Sequence, residues 1–140
     1  RVSLTPALWN QLVSVNASVN LAITPATDEE VYGRPEVWAY PTTRGDCEDL
    51  VLLKRRDLIE KGWPVGDLLI TVVRQRNGDG HAVLTVLTDR GDLILDSLQP
   101  RVLVWSDTDY EYVKRQSELN SGQWMQIDDA RLTEVGSVSR

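Results

Sequence analysis

Cysteine is almost missing from this chain of 140 residues, since Cys47 is the only one. A single thiol cannot form an internal disulfide, and it has no second cysteine with which to build a zinc site. Three roles remain for Cys47: a catalytic nucleophile, a small buried apolar residue, or a bridge to another molecule. The redox compartment stays open, because one cysteine is compatible with oxidising and with reducing surroundings.

Positive charge and long apolar runs are also scarce. The 15 Lys and Arg residues are outnumbered by 21 Asp and Glu, which gives a net charge of -6. This balance argues against a nucleic-acid partner, because phosphate binding needs clustered basic residues. The basic run Lys54 to Arg56 is interpreted as the solvated face of a helix. The longest apolar runs, Leu50 to Leu53 and Leu68 to Val73, are too short to cross a membrane.

Two helices are predicted from their boundary residues, within a single domain that spans residues 1–140. Thr5-Pro6 predicts the start of the first helix, in which apolar residues recur at helical spacing as far as residue 20. The polar residues on one side of it, Asn16 and Asn20, are interpreted as surface positions. The second helix is predicted over 46–59, with Gly62 as the glycine that ends it.

Strand-like segments follow at 68–76, 81–88 and 92–96, separated by the turn sequences 77–80 and 89–91. These turns predict antiparallel hairpins. Both faces of the segment 81–88 are largely apolar, which predicts a central strand. Farther along, we expect a short strand at 101–105, a helix within 107–118 and an edge strand at 123–127.

Cys47 lies at the predicted junction between a loop and the second helix. A carboxylate at Asp46 suits the N-cap, and Gly45 allows the chain to turn into the helix. Cys47 would then occupy the first helical position, where free amides and the helix dipole favour the thiolate. The amide of Cys47 would also be available to stabilise an oxyanion.

His81, the only histidine, starts a predicted strand, and Asp96 ends the next one. In a hairpin the start of one strand lies beside the end of the other, so these two side chains can meet. If the second helix packs on the sheet with its N-terminus over that end, Cys47 comes within reach of the imidazole. The order is that of a nucleophile, a base and a residue that orients the base. Taken singly, His81 also fits a structural role and Asp96 a turn.

Two further features lie close to Cys47 in the sequence. Asp46, Glu48 and Asp49 supply three carboxylates, the hard oxygen ligands that calcium prefers, although helix capping and solvation explain the same residues without a metal. Trp38 belongs to an aromatic segment just upstream. It could line a substrate groove or donate its indole N–H to an oxyanion, although ordinary packing also explains it.

Several of these motifs together resemble those of the bacterial transglutaminase-like cysteine proteinases. The resemblance covers most of the chain and is carried by Gly45-Asp46-Cys47-Glu48-Asp49, Gly62-Trp63-Pro64, Gly80-His81-Ala82-Val83-Leu84 and Asp92-Leu93-Ile94-Leu95-Asp96. It implies a papain-like and transglutaminase-like α+β fold, with the nucleophile at the start of a central helix packed on an antiparallel sheet. The family's Cys-His-Asp triad would correspond to Cys47, His81 and Asp96.

The resemblance also implies a cysteine peptidase that forms a thioester with its substrate and needs no cofactor for the chemistry. A periplasmic branch of the family cuts a large biofilm adhesin and uses calcium. A periplasmic or exported location, a protein substrate such as a surface adhesin, and calcium bound by Asp46 and Glu48 are therefore expectations. Leu50 replaces the tyrosine usual in this motif, which bears on substrate specificity.

Two alternatives to peptide hydrolysis stay open. The acyl-enzyme could transfer its acyl group to an amine, as in transglutaminases, or act on side-chain amides as a deamidase. The same scaffold could also bind peptides without catalysing any reaction.

Overall fold

The computed structural model describes residues 1–22 and 43–127, without the side chains of residues 22 and 43–46. These ranges contain two α-helices and one antiparallel sheet of six strands, as expected for an α+β fold. The helices are α1 (Pro6–Ala22) and α2 (Thr43–Glu60). The strands are β1 (Leu68–Arg74), β2 (Gly80–Thr88), β3 (Gly91–Asp96), β4 (Gln99–Val104), β5 (Glu111–Gln116) and β6 (Trp124–Gln126).

Helix α1 starts where the sequence predicts. Thr5 Oγ1 accepts a hydrogen bond from the amide of Leu8 at 3.2 Å, and Pro6 is the first helical residue. The hydroxyl thus satisfies one of the free amides of the first turn. The helix ends at Ala22, two residues beyond the expected end.

Helix α2 has its predicted end and an earlier start. Gly62 takes a φ of 99°, a left-handed conformation that glycine adopts without strain. The amide of Trp63 donates to the carbonyl of Leu58 at 3.0 Å, and that of Gly62 donates to the carbonyl of Ile59 at 3.0 Å, which together form a Schellman motif. At the other end the helix begins at Thr43, so Asp46 lies within its first turn and is not the N-cap.

The sheet has the strand order β4-β3-β2-β1-β5-β6. Strand β2 pairs with β1 and with β3, and residues 81–88 are all buried, which confirms the prediction of a central strand. Gly78 lies in the first hairpin turn and Gly91 begins β3 directly after the second, with φ of 92° and 108°. Strand β6 is the exposed edge that the sequence predicts.

The helix predicted within 107–118 is wrong, because β5 occupies this segment. Strand β5 pairs with β1, which would otherwise lie at the edge of the sheet with unpaired backbone groups. Tyr112 and Val113 also suit a half-buried strand. Pairing with a strand far away in the sequence therefore outweighs the local helical pattern.

Alternate residues of β2 pack on the two faces of the sheet. Ala82, Leu84 and Val86 join the main core with apolar residues of α1 and α2. Val83 belongs to a smaller cluster that includes Tyr112 on β5. Helix α2 thus packs on β2, the strand that carries His81 as its second residue. Neither helix in the described ranges has the length and apolar character required to span a membrane.

Candidate active site

Cys47 is the fifth residue of α2 and lies on the buried face of the helix, with 4% of its surface exposed. The hydroxyl of Ser97, the residue after β3, donates to the sulfur at 3.6 Å. Cys47 therefore lies at the start of the helix, as predicted, but beyond its first four residues. An amide at this position pairs with the carbonyl four residues earlier, so it is not one of the free donors expected from the sequence.

His81 places its ring beside the Cys47 thiol. The side chain is only 1% exposed, and Nε2 lies 2.8 Å from Oδ1 of Asp96. The other ring nitrogen, Nδ1, is buried and has no well-formed hydrogen bond to any residue in the described ranges. Since Asp96 is an acceptor, Nε2 carries a proton, and Nδ1 is the nitrogen left to exchange a proton with the thiol.

Asp96, which is 2% exposed at the end of β3, is held by several donors. Besides His81, the amide of Leu98 donates to Oδ1 at 2.9 Å and the hydroxyl of Tyr110 donates to Oδ2 at 2.5 Å. The Asn20 side chain donates to the Asp96 carbonyl at 3.1 Å and so ties α1 to this position. The carboxylate is thereby fixed in orientation.

The electrostatics of these groups favour a thiolate and an imidazolium. Burial alone would raise the pKa of Cys47, but its interactions with His81 and Ser97 outweigh burial and lower it. Burial likewise disfavours a charged His81, yet Asp96 and the thiol raise the pKa of His81 to about 9. Burial also opposes the charge of Asp96, and hydrogen bonds from His81 and Tyr110 keep its pKa below the usual value. The pKa shifts of Cys47 and His81 both act in the direction of proton transfer from the thiol to the imidazole.

Of the remaining residues predicted for the site, only Glu48 and Asp49 have described side chains, and neither belongs to this cluster. Glu48 and Asp49 are exposed on α2, while Trp38 and the side chain of Asp46 lie outside the described residues. In the described part of the chain, no three Asp, Glu, His or Cys side chains are grouped as a metal site would require.

Four polar residues near the site were missed or misinterpreted at the sequence level. Ser97 follows Asp96 directly, so its position next to a candidate residue was the available signal. The interpretation as surface positions is wrong for Asn16, which is fully buried and whose Nδ2 donates to the carbonyl of Gln99 at 3.1 Å, while Asn20 is half-buried. Tyr110 reaches the site from beyond β4, and no local pattern marks it.

The interpretation of Lys54 to Arg56 as a solvated face is wrong for two of the three residues. Lys54 is fully buried. The guanidinium of Arg55 donates to the carbonyl of Leu68 at 2.8 Å and to the hydroxyl of Ser121 at 2.9 Å. Only Arg56 is exposed as expected.

The family model for bacterial transglutaminase-like cysteine proteinases matches residues 1–132. The chain belongs to this family. It is accordingly a bacterial cysteine protease with a transglutaminase-like fold. No curated protein matched the chain.

Solved structures similar to this family member include LapG from Legionella pneumophila. One LapG structure aligns with a TM-score of 0.61 and 27% identity over 88% of this chain and 71% of LapG. Calcium-bound LapG aligns with a TM-score of 0.59 and 25% identity over 91% of this chain and 75% of LapG. EGTA-treated LapG gives a TM-score of 0.61 and 26% identity over 90% and 70% of the two chains. LapG therefore shares this fold and has been obtained with calcium.

Proposed function

We propose that this protease cleaves peptide bonds with Cys47 as the nucleophile, His81 as the general acid and base, and Asp96 as the residue that orients His81. The observation that carries the proposal is the burial of the three side chains in one cluster, with Nε2 of His81 2.8 Å from Asp96 and the ring beside the thiol. The lowered pKa of Cys47 and the raised pKa of His81 support the same assignment.

In the first half of the reaction, the Cys47 thiolate attacks the carbonyl carbon of the scissile peptide bond. His81 Nδ1 then donates its proton to the leaving nitrogen, the C–N bond breaks, and the acyl group remains on sulfur as a thioester. In the second half, neutral His81 accepts a proton from water as the water oxygen attacks the thioester. The C–S bond breaks, and the thiolate and imidazolium form again.

The substrate we propose is a bacterial periplasmic or surface protein, with a large adhesin as the first candidate. The enzyme itself would be periplasmic or exported. This proposal is supported by the resemblance to the periplasmic branch of the family and by the similarity to LapG.

The substrate and the nucleophile can be tested together. Parent protein and the Cys47→Ala variant are incubated with an extract of secreted and surface proteins, and new protein termini are identified by mass spectrometry. We expect new termini with the parent alone. Equal cleavage by the variant would contradict the role of Cys47, while products that carry isopeptide bonds or deamidated side chains would indicate acyl transfer or deamidation instead of peptide hydrolysis.

We also propose that calcium binds near the start of α2; the calcium-bound form of LapG supports binding of the ion, and the carboxylates at 46, 48 and 49 support the place. Glu48 and Asp49 are exposed there, but the described residues alone do not complete a site, so Asp46 or backbone oxygens would have to contribute. Calorimetry should detect saturable binding with millimolar calcium, weakened by Glu48→Gln. Absence of both heat and thermal stabilisation in the parent would contradict calcium binding. The proposed steps do not use the ion.

A further inference from the structure

Lys54 is a buried cation on the same helix face as Cys47. The buried residues of α2 follow one stripe, which consists of Cys47, Leu50, Val51, Lys54 and Leu58. Lys54 lies two turns after Cys47 on this stripe. Its side chain is 0% exposed, and Nζ has no hydrogen-bond partner in the described part of the chain.

A lysine in this setting is unusual, because a buried ammonium loses its hydration and is normally paired. Burial lowers the pKa of Lys54 to about 8, while the negative charges of Asp96 and Cys47 act in the opposite direction. The side chain therefore stays largely protonated at pH 7. Two turns of helix separate the Cα atoms of Lys54 and Cys47 by about 11 Å, a distance at which charges in the protein interior still interact.

Buried charge in the described residues is concentrated in one place. The buried side chains that can carry charge near neutral pH are Cys47, Lys54, His81 and Asp96. In the reactive state, a thiolate, an imidazolium and a carboxylate leave one net negative charge in the interior. An unbalanced charge away from water is strongly unfavourable. The ammonium of Lys54 brings the sum to zero.

We propose that Lys54 is a positioning residue of the active site, whose buried ammonium balances the charges of Asp96 and the Cys47 thiolate and so maintains the reactive ion pair. This inference rests on the proposed function, because it assigns Lys54 a role in the same site. Lys54 need not touch the substrate, and it acts through the two anions.

Substitution of Lys54 distinguishes the proposed role from a purely structural one. In Lys54→Met the Cys47 thiolate can take up a proton, so that the remaining buried charges, those of His81 and Asp96, still sum to zero and no uncompensated charge is left in the interior. We therefore expect Lys54→Met to unfold at the same temperature as the parent or at a higher one, while losing reactivity. A side chain retained only for packing would leave reactivity unchanged.

The test compares the parent with Lys54→Met and with a matched control, Arg56→Met, which removes a positive charge from the exposed side of α2. The first readout is the rate at which iodoacetamide alkylates Cys47 at pH 6. Loss of the Lys54 charge, about two helical turns from the thiol, should slow alkylation on the order of tenfold at an effective dielectric constant of about 20. Arg56→Met should react like the parent, because its charge is screened by solvent.

The second readout is the titration of His81 by NMR, whose imidazole signals cannot overlap with those of another histidine because the chain has only one. Removal of the positive charge that offsets Asp96 strengthens the attraction between Asp96 and the imidazolium, so the pKa of His81 should rise in Lys54→Met. Lys54→Arg keeps the charge, so its alkylation rate and its His81 pKa should be close to those of the parent. If Lys54→Met does not fold, Lys54→Gln provides the same neutral test.

The two proposals fail in different ways. A parent thiol that reacts no faster than free cysteine at pH 6 would overturn the proposed nucleophile. A fast parent thiol together with an equally fast, folded Lys54→Met thiol and an unchanged His81 titration would overturn the role of Lys54 alone.

Discussion

Strand β2 carries three buried polar side chains, and two of them, His81 and Thr85, satisfy their hydrogen bonds in different ways. The hydroxyl of Thr85 pairs with that of Thr71 at 2.7 Å, and Thr71 donates to the carbonyl of Leu69 at 3.0 Å. These hydroxyls are neutral and bonded within the sheet. His81, in contrast, is bonded to Asp96 on one side only, and its Nδ1 has no well-formed hydrogen bond in the described ranges.

The difference separates a polar group that stabilises the sheet from one that is held ready for chemistry. A closed pair of hydroxyls satisfies buried donors and acceptors and adds to stability. A buried charged cluster in which one nitrogen lacks a hydrogen bond contributes less to stability than a fully bonded pair, as is common in active sites. The following substitutions test whether the two groups on β2 differ in this way.

Asp96→Asn should have the largest effect. The variant keeps the size of the side chain but removes the charge that stabilises the imidazolium, and its amide can present a donor to Nε2. Turnover of the substrate identified in the extract experiment should fall by about 10²- to 10⁴-fold. A variant with parental turnover would show that Asp96 only closes the strand.

Tyr110→Phe should have an intermediate effect. It removes the hydroxyl that donates to Asp96 Oδ2 at 2.5 Å, while the ring can still pack against His81, 5.3 Å away between centroids. Loss of this donor raises the pKa of Asp96, so turnover should fall about tenfold, because a hydrogen bond to a charged group contributes about 1.5–3 kcal/mol. The acidic limb of the pH–rate profile should move to higher pH. A profile identical to that of the parent would remove Tyr110 from the site.

Thr85→Val should have the smallest effect on activity. The substitution is close to isosteric and removes one hydroxyl of the closed pair, whereas Thr71 keeps its bond to the carbonyl of Leu69. The free energy of unfolding, measured in urea, should fall by about 1 kcal/mol. Turnover should stay at the parental value. A loss of turnover as large as that of Tyr110→Phe would break the distinction between the two groups.

The parts of the fold that depend on local chemistry were predictable from the sequence. Thr5-Pro6 and Gly62-Trp63 mark helix ends because capping involves residues within a few positions of one another. The glycine-containing turns gave the two hairpins, and the hairpins placed His81 near Asp96.

Features that depend on contacts between distant segments were not predictable in this way. Strand β5 pairs with the edge of β1, which is distant in the sequence. The contact of Tyr110 with Asp96 likewise depends on how the chain runs between β4 and β5. Lys54 was misread because charge alone indicated solvent, although its spacing from Cys47 and Leu50 already placed it on the apolar face. Helical periodicity was the better guide there.

The pH dependence of Cys47 alkylation by iodoacetamide tests the central claim most directly. Cys47 is the only thiol, so mass spectrometry assigns the product without ambiguity. Because the pKa of Cys47 is lowered, we expect Cys47 to be alkylated at pH 6 much faster than free cysteine, with the rise in rate at lower pH than for an ordinary thiol. A rate that is negligible at pH 6 and rises around pH 8.5, as for an ordinary thiol with a pKa of about 8.5, would contradict the account.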